Sequence, residues 1–250
     1  YIQMYKDKFK EHFIEIKLVI VEELENMEQY VKCNKVDFAI NRSRNHIMGE
    51  LLEQKGVRVF NSSSVTRIAN NKGITYEFLK DVVPFLAVKY GNEIIESKIE
   101  NKGFEYPYVI KSCSGHGGSQ VFLVNNSKEE EQAVKAMNGQ EYVVQQCCSD
   151  LGRDVRVYII GNKIIKAVLR TSTESFKSNY SLGGKVQEYT LNNEEKAMVE
   201  RIVDKLPLDY AGIDFTFNNG KAVFNEIEDA VGARMLYQVS DIDIVEMYIK

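Results

Sequence analysis

The chain contains three places where two short apolar runs are separated by only a few turn-forming residues. This spacing predicts β-hairpins, because neighbouring runs joined by a tight turn pair as antiparallel strands. The three predicted hairpins pair residues 106–112 with 120–125 around a glycine loop, 153–160 with 163–170 around Gly161-Asn162, and 210–217 with 221–228 around Asn218-Asn219-Gly220. The pattern excludes an all-helical protein and predicts an α+β fold for most of the chain.

The first 70 residues follow a different pattern, in which short apolar runs alternate with helical segments. Strands are predicted at 16–21, 36–41 and 57–61, and helices at 1–13 and 47–55, the second ending at Gly56. Such alternation indicates a parallel α/β sheet. Because the chain opens at Tyr1 with what resembles half a helix, we expect the first strand of that sheet to be missing.

A length of 250 residues allows one large domain or two to three small ones. The change of pattern predicts an N-terminal α/β domain (1–70), a central α+β subdomain with the glycine loop (71–145) and a C-terminal α+β subdomain (146–250). Capping boxes at Ser127-Glu130 and Asn192-Glu195 predict helices that run to about Met137 and Leu206. The combined fold class is α/β plus α+β.

Composition narrows the classes of function. Lys and Arg number 32 against 36 Asp and Glu, a net charge of −4, which is not typical of nucleic-acid or anionic-membrane binders. No apolar run reaches the ~18–20 residues that span a bilayer, and we expect no signal peptide. Four cysteines without C-x-x-C spacing and three histidines argue against a disulfide scaffold or a zinc site and favour a cytoplasmic location.

The stretch Lys111-Ser112-Cys113-Ser114-Gly115-His116-Gly117-Gly118-Ser119 is the strongest candidate for a ligand site. Glycines let backbone N–H groups approach an anion, and a nearby lysine supplies charge for a phosphate. No G-K-[ST] follows, and the loop leads into a strand, so it is neither a Walker loop nor a Rossmann fingerprint. A glycine loop between antiparallel strands occurs over the nucleotide in kinases and ATP-grasp enzymes, and a lysine before the loop favours the second. The alternative is a flexible hairpin tip.

Three carboxylates form a second candidate site. Glu226 and Glu228 are two apart on one predicted strand and therefore share a face, and Asp214 lies on the partner strand. Among apolar neighbours these charges would repel one another unless a cation or basic side chains neutralise them. Mg²⁺ prefers such hard oxygen ligands and bridges to substrate phosphates. A solvated acidic strand face is the alternative.

Two arginines stand out among the basic residues. Arg156 and Arg170 lie in predicted strands beside valines, isoleucines and leucines, and a buried cation needs a partner, which a triphosphate would provide. His116, at the tip of the glycine loop, suits contact with phosphate or solvent better than a role as general base. Further basic candidates, each more simply explained as a surface charge, are Lys72, Lys177, Lys185 and Arg234.

Taken in chain order, these features resemble the ATP-grasp superfamily, and within it the RimK-like carboxylate–amine ligases of the α-L-glutamate ligase type. The resemblance extends over about residues 70–235 in good order and spacing. It is carried by Lys72, the Lys111 loop, Gln145-Gln146-Cys147-Cys148, Asp154-Val155-Arg156, Phe176-Lys177-Ser178-Asn179 with Gly183-Gly184, Ala211-Gly212-Ile213-Asp214 and Asn225-Glu226-Ile227-Glu228.

The resemblance implies an ATP-grasp fold, with two α+β subdomains enclosing ATP behind an N-terminal α/β domain. Its implied nucleotide contacts are Lys72 and Lys111 with Gly117 and Gly118 at the phosphates, the backbone of Gln146, Cys147 and Cys148 at adenine, and Asp154, Lys177 and Asn179 along the nucleotide and acceptor side. Asp214, Glu226 and Glu228 would hold two Mg²⁺ ions, with Mn²⁺ as an alternative. Arg170 and Arg156 would be the catalytic pair that stabilises developing charge.

The implied activity joins a carboxylate, from an amino acid, a peptide or a protein C-terminus, to an amine such as an amino acid. ATP would convert the carboxylate into an acyl phosphate, which the amine attacks, releasing ADP and phosphate. The alternatives are ester or amide formation within a peptide and a nucleotide-binding regulatory module without chemistry. Retention of the three carboxylates and both arginines disfavours the module. Neither a nucleic-acid nor a membrane partner is expected, and a homo-oligomer is left open.

The chain departs from the family pattern at two places. Glu228 stands where the last metal position is usually Asn, which adds a negative charge. Residues 229–234, Asp-Ala-Val-Gly-Ala-Arg, replace the usual stretch of small residues and proline, which helps to shape the acceptor pocket. The identity of the substrate is therefore left open.

Overall fold

The computed structural model describes residues 2–96, 104–118, 120–173 and 184–250, which form three β-sheets with flanking helices. The helices are α1 (Ile2–Glu11), α2 (Met27–Cys33), α3 (His46–Glu53), α4 (Ser63–Ala69), α5 (Lys72–Leu79), α6 (Ser127–Met137), α7 (Asn193–Lys205), α8 (Arg234–Val239) and α9 (Ile244–Ile249). The strands are β1 (Phe38–Ile40), β2 (Arg58–Phe60), β3 (Val88–Tyr90), β4 (Glu93–Ile95), β5 (Tyr108–Ser112), β6 (Val121–Val124), β7 (Tyr142–Gln146), β8 (Arg153–Ile160), β9 (Lys163–Thr171), β10 (Lys185–Tyr189), β11 (Tyr210–Asn218) and β12 (Lys221–Glu228).

The N-terminal region has the parallel pairing that the alternating pattern predicts, since β1 and β2 are parallel and α3 connects them. The prediction of a strand at 16–21 is wrong: these residues pair with no strand of the described chain, and Leu18 and Ile20 are exposed. Helix α1 ends at Glu11 instead of at the predicted Phe13, whose side chain is fully exposed. The helix packs against the protein through Tyr5 and Phe9.

The central sheet has the order β4-β3-β7-β5-β6, with every neighbouring pair antiparallel. The hairpin of β5 and β6 around the glycine loop is confirmed. Helix α6 covers one face and buries Ala133 and Met137 against Tyr108 and Ile110. Its N-cap is Asn126, whose side chain accepts a hydrogen bond from Glu129 N, one residue before the predicted Ser127. Since Asn is at least as good a cap as Ser, the helix starts where the first suitable side chain allows.

The C-terminal sheet has the order β10-β9-β8-β11-β12 and is also antiparallel throughout. Both predicted hairpins are confirmed, and their turns place Asn162 and Asn219 at φ 65° and 52°, a conformation that Asn tolerates better than most residues. The capping box of Asn192 and Glu195 at α7 is also confirmed.

The central and C-terminal sheets share the largest hydrophobic core. Tyr76 on α5 packs its ring against Phe85 and Phe224, and Phe224 N donates to Pro84 O at 2.9 Å. The Tyr76 hydroxyl donates to Asn225 O on β12 at 2.6 Å and accepts from Gln145 Nε2 on β7 at 2.9 Å. These contacts fix the two sheets against each other. No helix in the described part of the chain combines the length and the apolarity that crossing a bilayer requires.

Candidate functional site

An open cleft of about 850 Å³, including its mouth, lies between the central and C-terminal sheets. Both sheets contribute to its walls, which include Lys72, Leu86, Val109, Lys111, Gly115, His116, Gly117, Gly118, Val121, Gln145, Gln146, Cys148, Leu151, Gly152, Arg153, Asp154, Arg170, Thr216, Asn225 and Glu226. We call this space the major cleft.

The glycine loop forms one edge of the major cleft. Gly117 and Gly118 have φ values of +64° and +76°, which L side chains rarely adopt. A Cβ built on Gly117 would meet no atom within 4 Å, so the space beside that backbone is open. The backbone at Gly117 can therefore be approached closely by a ligand, as the sequence indicates for an anion site.

Two buried lysines extend into the cleft beside this loop. Lys72, at the start of α5, donates to Gly115 O at 2.7 Å and lies 3.4 Å from Glu226 Oε2. Lys111, on β5, donates to Asn225 Oδ1 at 2.8 Å. Burial lowers the pKa of Lys111 to about 8, because low-dielectric surroundings disfavour the ammonium. Both ammonium groups thus rest on oxygens of the protein that an anionic ligand could replace.

The apolar end of the cleft lies against strand β7 and the segment after it. Leu86, Val109, Val121 and Leu151 line this end together with Gln146 and Cys148, and the combination suits a flat heterocycle such as a nucleobase. The residues that line the cleft do not include Cys147. Burial raises the pKa of the Cys147 thiol to about 11.

A chain of alternating charges lies under the opposite wall, in the C-terminal sheet. Arg170 donates to Asp154 Oδ1 and Oδ2 at 2.5 and 2.6 Å and to Asp214 Oδ2 at 2.6 Å. Arg156 donates through Nε and Nη2 to Asp214 at 2.7 Å. Although burial acts to raise the pKa of Asp214, the two arginines hold it below its usual range. Asp214 is fully buried and both its oxygens are engaged.

Strand register explains this arrangement. Asp214 on β11 is directly opposite Arg156 on β8, and Asp154 on β8 is directly opposite Arg170 on β9. Directly opposed residues in antiparallel strands lie close enough for their side chains to interact. Residues two apart share a face, so Asp154 and Arg156 bring both pairs to the same side of the sheet.

The carboxylates on β12 are also paired with cations. Glu228 accepts from Arg44 Nη2 at 3.2 Å and from Arg156 Nη2 at 3.5 Å, and Glu226 lies beside Lys72. In the described residues, no three His, Cys, Asp or Glu side chains form a group that could hold a metal ion. Basic side chains, one of the two ways to neutralise these acids that the sequence left open, contact all three carboxylates. The assignment of Asp214, Glu226 and Glu228 as metal ligands stays a prediction.

A smaller cleft, about 310 Å³ with its open mouth included, adjoins the major one at Glu226, and we call it the minor cleft. Its walls are formed by Arg44, Ala69, Asn70, Lys72, Ser114, Gly115, His116, Glu226, Ile227 and Glu228. Sequence reasoning did not identify Arg44, Asn70 or Asn225 as site residues. The signal available for Arg44 is its position in the loop after the parallel strand β1, since such loops commonly carry ligand contacts.

The structure thus brings most of the sequence-predicted residues to one place. Lys72, Lys111, the glycines, Gln146, Cys148, Asp154, Arg170 and Glu226 line the major cleft, and Glu228 lines the minor one. Arg156 and Asp214 lie behind the walls and are not among the residues that line either cleft. Lys177 and Asn179, predicted on the nucleotide and acceptor side, fall outside the described residues.

Comparison with known proteins agrees with this geometry. An uncharacterised protein, MG011, of Mycoplasma genitalium is 34% identical over 93% of this chain and 79% of its own length. A probable alpha-L-glutamate ligase of Vibrio vulnificus is 27% identical over 91% of this chain and 68% of its own length. The crystal structure of a RimK domain ATP-grasp protein from Sphaerobacter thermophilus superposes with a TM-score of 0.74 at 19% identity, covering 98% of this chain and 92% of that one.

The family model of the RimK-like ATP-grasp domain matches residues 61–250. This range contains the central and C-terminal sheets and every residue named above as lining the major cleft. The chain belongs to the RimK-like ATP-grasp family of ligases, and its fold is the ATP-grasp fold.

Proposed function

We propose that the chain is an ATP- and Mg²⁺-dependent ligase that forms an amide bond between a carboxylate and an amine, releasing ADP and phosphate. The observation that carries the proposal is the convergence of Lys72, Lys111 and the glycine loop with Arg170 on one cleft between two sheets. Phosphate recognition requires such a set of cations and backbone donors, and the family is one of ligases.

The residues present fit a nucleotide triphosphate. The ammonium groups of Lys72 and Lys111 would leave Gly115 O and Asn225 Oδ1 for phosphate oxygens, and Gly117 and Gly118 would supply backbone N–H groups. Gln146, Cys147 and Cys148 would border the base through their backbone, together with the apolar side chains near them. Asp154, together with Lys177 and Asn179, is proposed to border the ribose and acceptor side.

The residues also fit a divalent cation that arrives with the nucleotide. Mg²⁺ is commonly bound by one or two carboxylates plus substrate phosphates instead of an all-protein cage. Glu226 lines both clefts and is the first proposed ligand. Glu228 is the second. Asp214 is the weakest of the three proposed ligands, because it would have to release one oxygen from its arginines at a cost. When bound, Mg²⁺ would neutralise phosphate charge during phosphoryl transfer.

The arginines have different proposed roles in the reaction. Arg170 lines the major cleft, and its guanidinium, fixed by Asp154 and Asp214, can stabilise negative charge that develops on a transferring phosphoryl group. Arg156 is buried against Asp214 and Glu228. We propose that Arg156 acts as a positioning residue, which orients these two carboxylates without contacting substrate.

A reaction through an acyl phosphate predicts a distinct set of products. The carboxylate oxygen attacks the γ-phosphorus and ADP leaves; the amine nitrogen then attacks the acyl carbon, phosphate leaves and the nitrogen loses a proton. With ATP, Mg²⁺ and a carboxylate substrate, hydroxylamine should replace the amine and yield a hydroxamate together with ADP. AMP and pyrophosphate as products would show adenylation and overturn this route. ATP turnover that needs neither reactant would overturn the ligase assignment.

We also propose that the protein works in the reducing cytoplasm. The four cysteines, Cys33, Cys113, Cys147 and Cys148, are free thiols in the structure, and cytoplasmic proteins rarely keep disulfides. ATP as a substrate supports the same location.

A further inference from the structure

We propose that Arg44 is a specificity-determining residue, which binds the carboxylate of an α-amino acid that occupies the minor cleft as the amine reactant. This inference rests on the proposed ligase function and deepens it. The minor cleft adjoins the major one and shares Lys72, Gly115, His116 and Glu226 with it. A reactant in the minor cleft would therefore lie beside the phosphate-binding lysine and the proposed metal ligand.

The guanidinium of Arg44 has donors to spare. Within the described residues, its single hydrogen-bond partner is Glu228, through Nη2 at 3.2 Å, and the side chain is 34% exposed. A guanidinium carries five N–H donors in a planar fork that matches a carboxylate. Arg44 can therefore keep its contact with Glu228 and still donate to an anionic ligand.

The other cations near the minor cleft are more fully committed. Lys72 donates to Gly115 O and faces Glu226. Arg156 directs Nε and Nη2 at Asp214 and does not line the cleft. Arg44 lines the minor cleft and not the major one, so a nucleotide in the major cleft does not need it.

Hydrogen bonds of residues close to Arg44 in sequence hold the loop that carries it in place. Arg42 Nη2 donates to Ala230 O at 3.1 Å and to Val231 O at 2.7 Å, which ties the loop to the segment after β12. Asn41 Oδ1 accepts from the backbone and hydroxyl of Ser43, and Asn41 Nδ2 donates to Asn45 O. A donor held in place before binding loses less entropy when its ligand arrives.

The class of ligand follows from the chemistry of the lining. The residues that line the minor cleft are largely polar and charged, which excludes a bulky apolar group. The proposed reaction requires an amine, and Arg44 offers recognition of a carboxylate. An α-amino acid carries both groups in one small polar molecule.

The test measures amino-acid binding to the full chain with a non-hydrolysable ATP analogue and Mg²⁺ already bound. The common L-amino acids and their α-carboxamides are titrated calorimetrically into the wild type and into R44M, R44K and the control R67M, which removes an exposed arginine from α4. We expect at least one free amino acid to bind the wild type and R67M alike. The carboxamide of that amino acid should bind the wild type roughly 10- to 100-fold more weakly than the free amino acid does. The free amino acid should bind R44M more weakly by a similar factor. Its affinity for R44K should lie between those for the wild type and R44M, because lysine keeps the charge and loses the planar fork.

Nucleotide titrations of the same proteins separate the two proposals. Unchanged nucleotide affinity in R44M, with a raised KM for the amino acid and a preserved kcat, supports Arg44 as the recognition residue. Absence of nucleotide binding by the wild type would overturn the ligase proposal and this inference with it. If nucleotide binds and no amino acid in the panel does, or carboxamides bind as well as acids, the role of Arg44 alone is overturned. If R44M fails to fold, the affinities of R44K for the amino acid and of the wild type for the carboxamide still test the role of Arg44.

Discussion

The two walls of the major cleft bear their charges in different ways. On the side of the central sheet, Lys72 and Lys111 each donate to a neutral oxygen, and Lys72 also lies 3.4 Å from Glu226 Oε2. On the C-terminal sheet, Asp154, Arg170, Asp214 and Arg156 form an unbroken series of buried ion pairs. The cations of the first wall are at most partly compensated and can turn to a ligand, whereas those of the second are fully paired with buried carboxylates.

This difference separates residues that can bind a ligand from residues that hold the site in its folded geometry. A lysine that donates to a carbonyl or amide can exchange that contact for a phosphate at little cost, because the neutral acceptor returns to other partners or water. A buried carboxylate between two arginines cannot be released cheaply, because the charges left behind would be unpaired. We therefore expect substitutions on the central wall to change mainly ligand affinity. Substitutions in the C-terminal series should lower the stability of the fold, in addition to any effect on catalysis through Arg170.

The largest expected effect follows from removing the centre of the buried series. In Asp214→Ala, Arg156 and Arg170 lose their shared partner, and the free energy of unfolding should fall by about 3–5 kcal/mol. Urea denaturation measures this loss. The matched control is Glu188→Ala, which removes the exposed half of the Lys166 ion pair and should cost no more than about 1 kcal/mol. Similar losses in both variants would contradict the distinction between the walls.

Lys111→Met tests the central wall and should show the opposite pattern. Loss of a charge-assisted contact to phosphate should weaken ATP binding by about 1.5–3 kcal/mol. The free energy of unfolding should change by less than about 1 kcal/mol, because methionine fills the space and removes a costly buried charge. Titration of a fluorescent ATP analogue gives the affinity, with Lys89→Met, on the exposed side of β3, as the control. An affinity within twofold of wild type would remove Lys111 from the phosphate site.

The pH dependence of nucleotide binding is a second test of whether Lys111 contacts the phosphates. Burial lowers the pKa of Lys111 to about 8, so in the free protein the ammonium is charged below pH 8 and increasingly neutral above it. Because only the charged form attracts phosphate, ATP affinity should fall as the pH rises through 8 to 9.5. Lys111→Arg should bind with little change over that range, since a guanidinium stays protonated. Equal slopes for wild type and Lys111→Arg would assign the dependence to another group.

Sequence reasoning succeeded where the determinants are local. The hairpins at Gly161-Asn162 and Asn219-Gly220 and the capping box at Asn192 depend on a few neighbouring residues, and the structure confirms them. The short strands β3 and β4 were missed, because three-residue segments give too little periodicity to be recognised. A local apolar run at 16–21 was predicted as a strand, although a strand also requires a partner that the sequence does not specify.

Prediction of the functional site from sequence was also limited to local features. Glycines, lysines and carboxylates with recognisable spacing were identified, but the partner of each charge was not. Asp214 meets Arg156 through strand register, which a period-2 pattern alone does not fix. Arg44 meets Glu228 across 184 residues of sequence, so its contribution depends wholly on how the N-terminal region packs against β12. Long-range pairing decides which charges are available and which are compensated.

The smallest expected effect concerns Glu228, which lies between the two kinds of wall. It lines the minor cleft, yet Arg44 and Arg156 already neutralise part of its charge. Glu228→Gln keeps the length of the side chain and removes that charge. If Glu228 is a magnesium ligand, the variant should stay active and need a few times more Mg²⁺ for half-maximal rate, because hard cations prefer anionic oxygens. Glu226→Gln should raise the requirement further, since Glu226 lines both clefts and lacks an arginine partner among the described residues. Magnesium titrations of ADP release, at saturating ATP, compare the two variants. An unchanged requirement in Glu228→Gln beside a raised one in Glu226→Gln would assign Glu228 to the compensated series, as the anchor of Arg44 and not as a ligand.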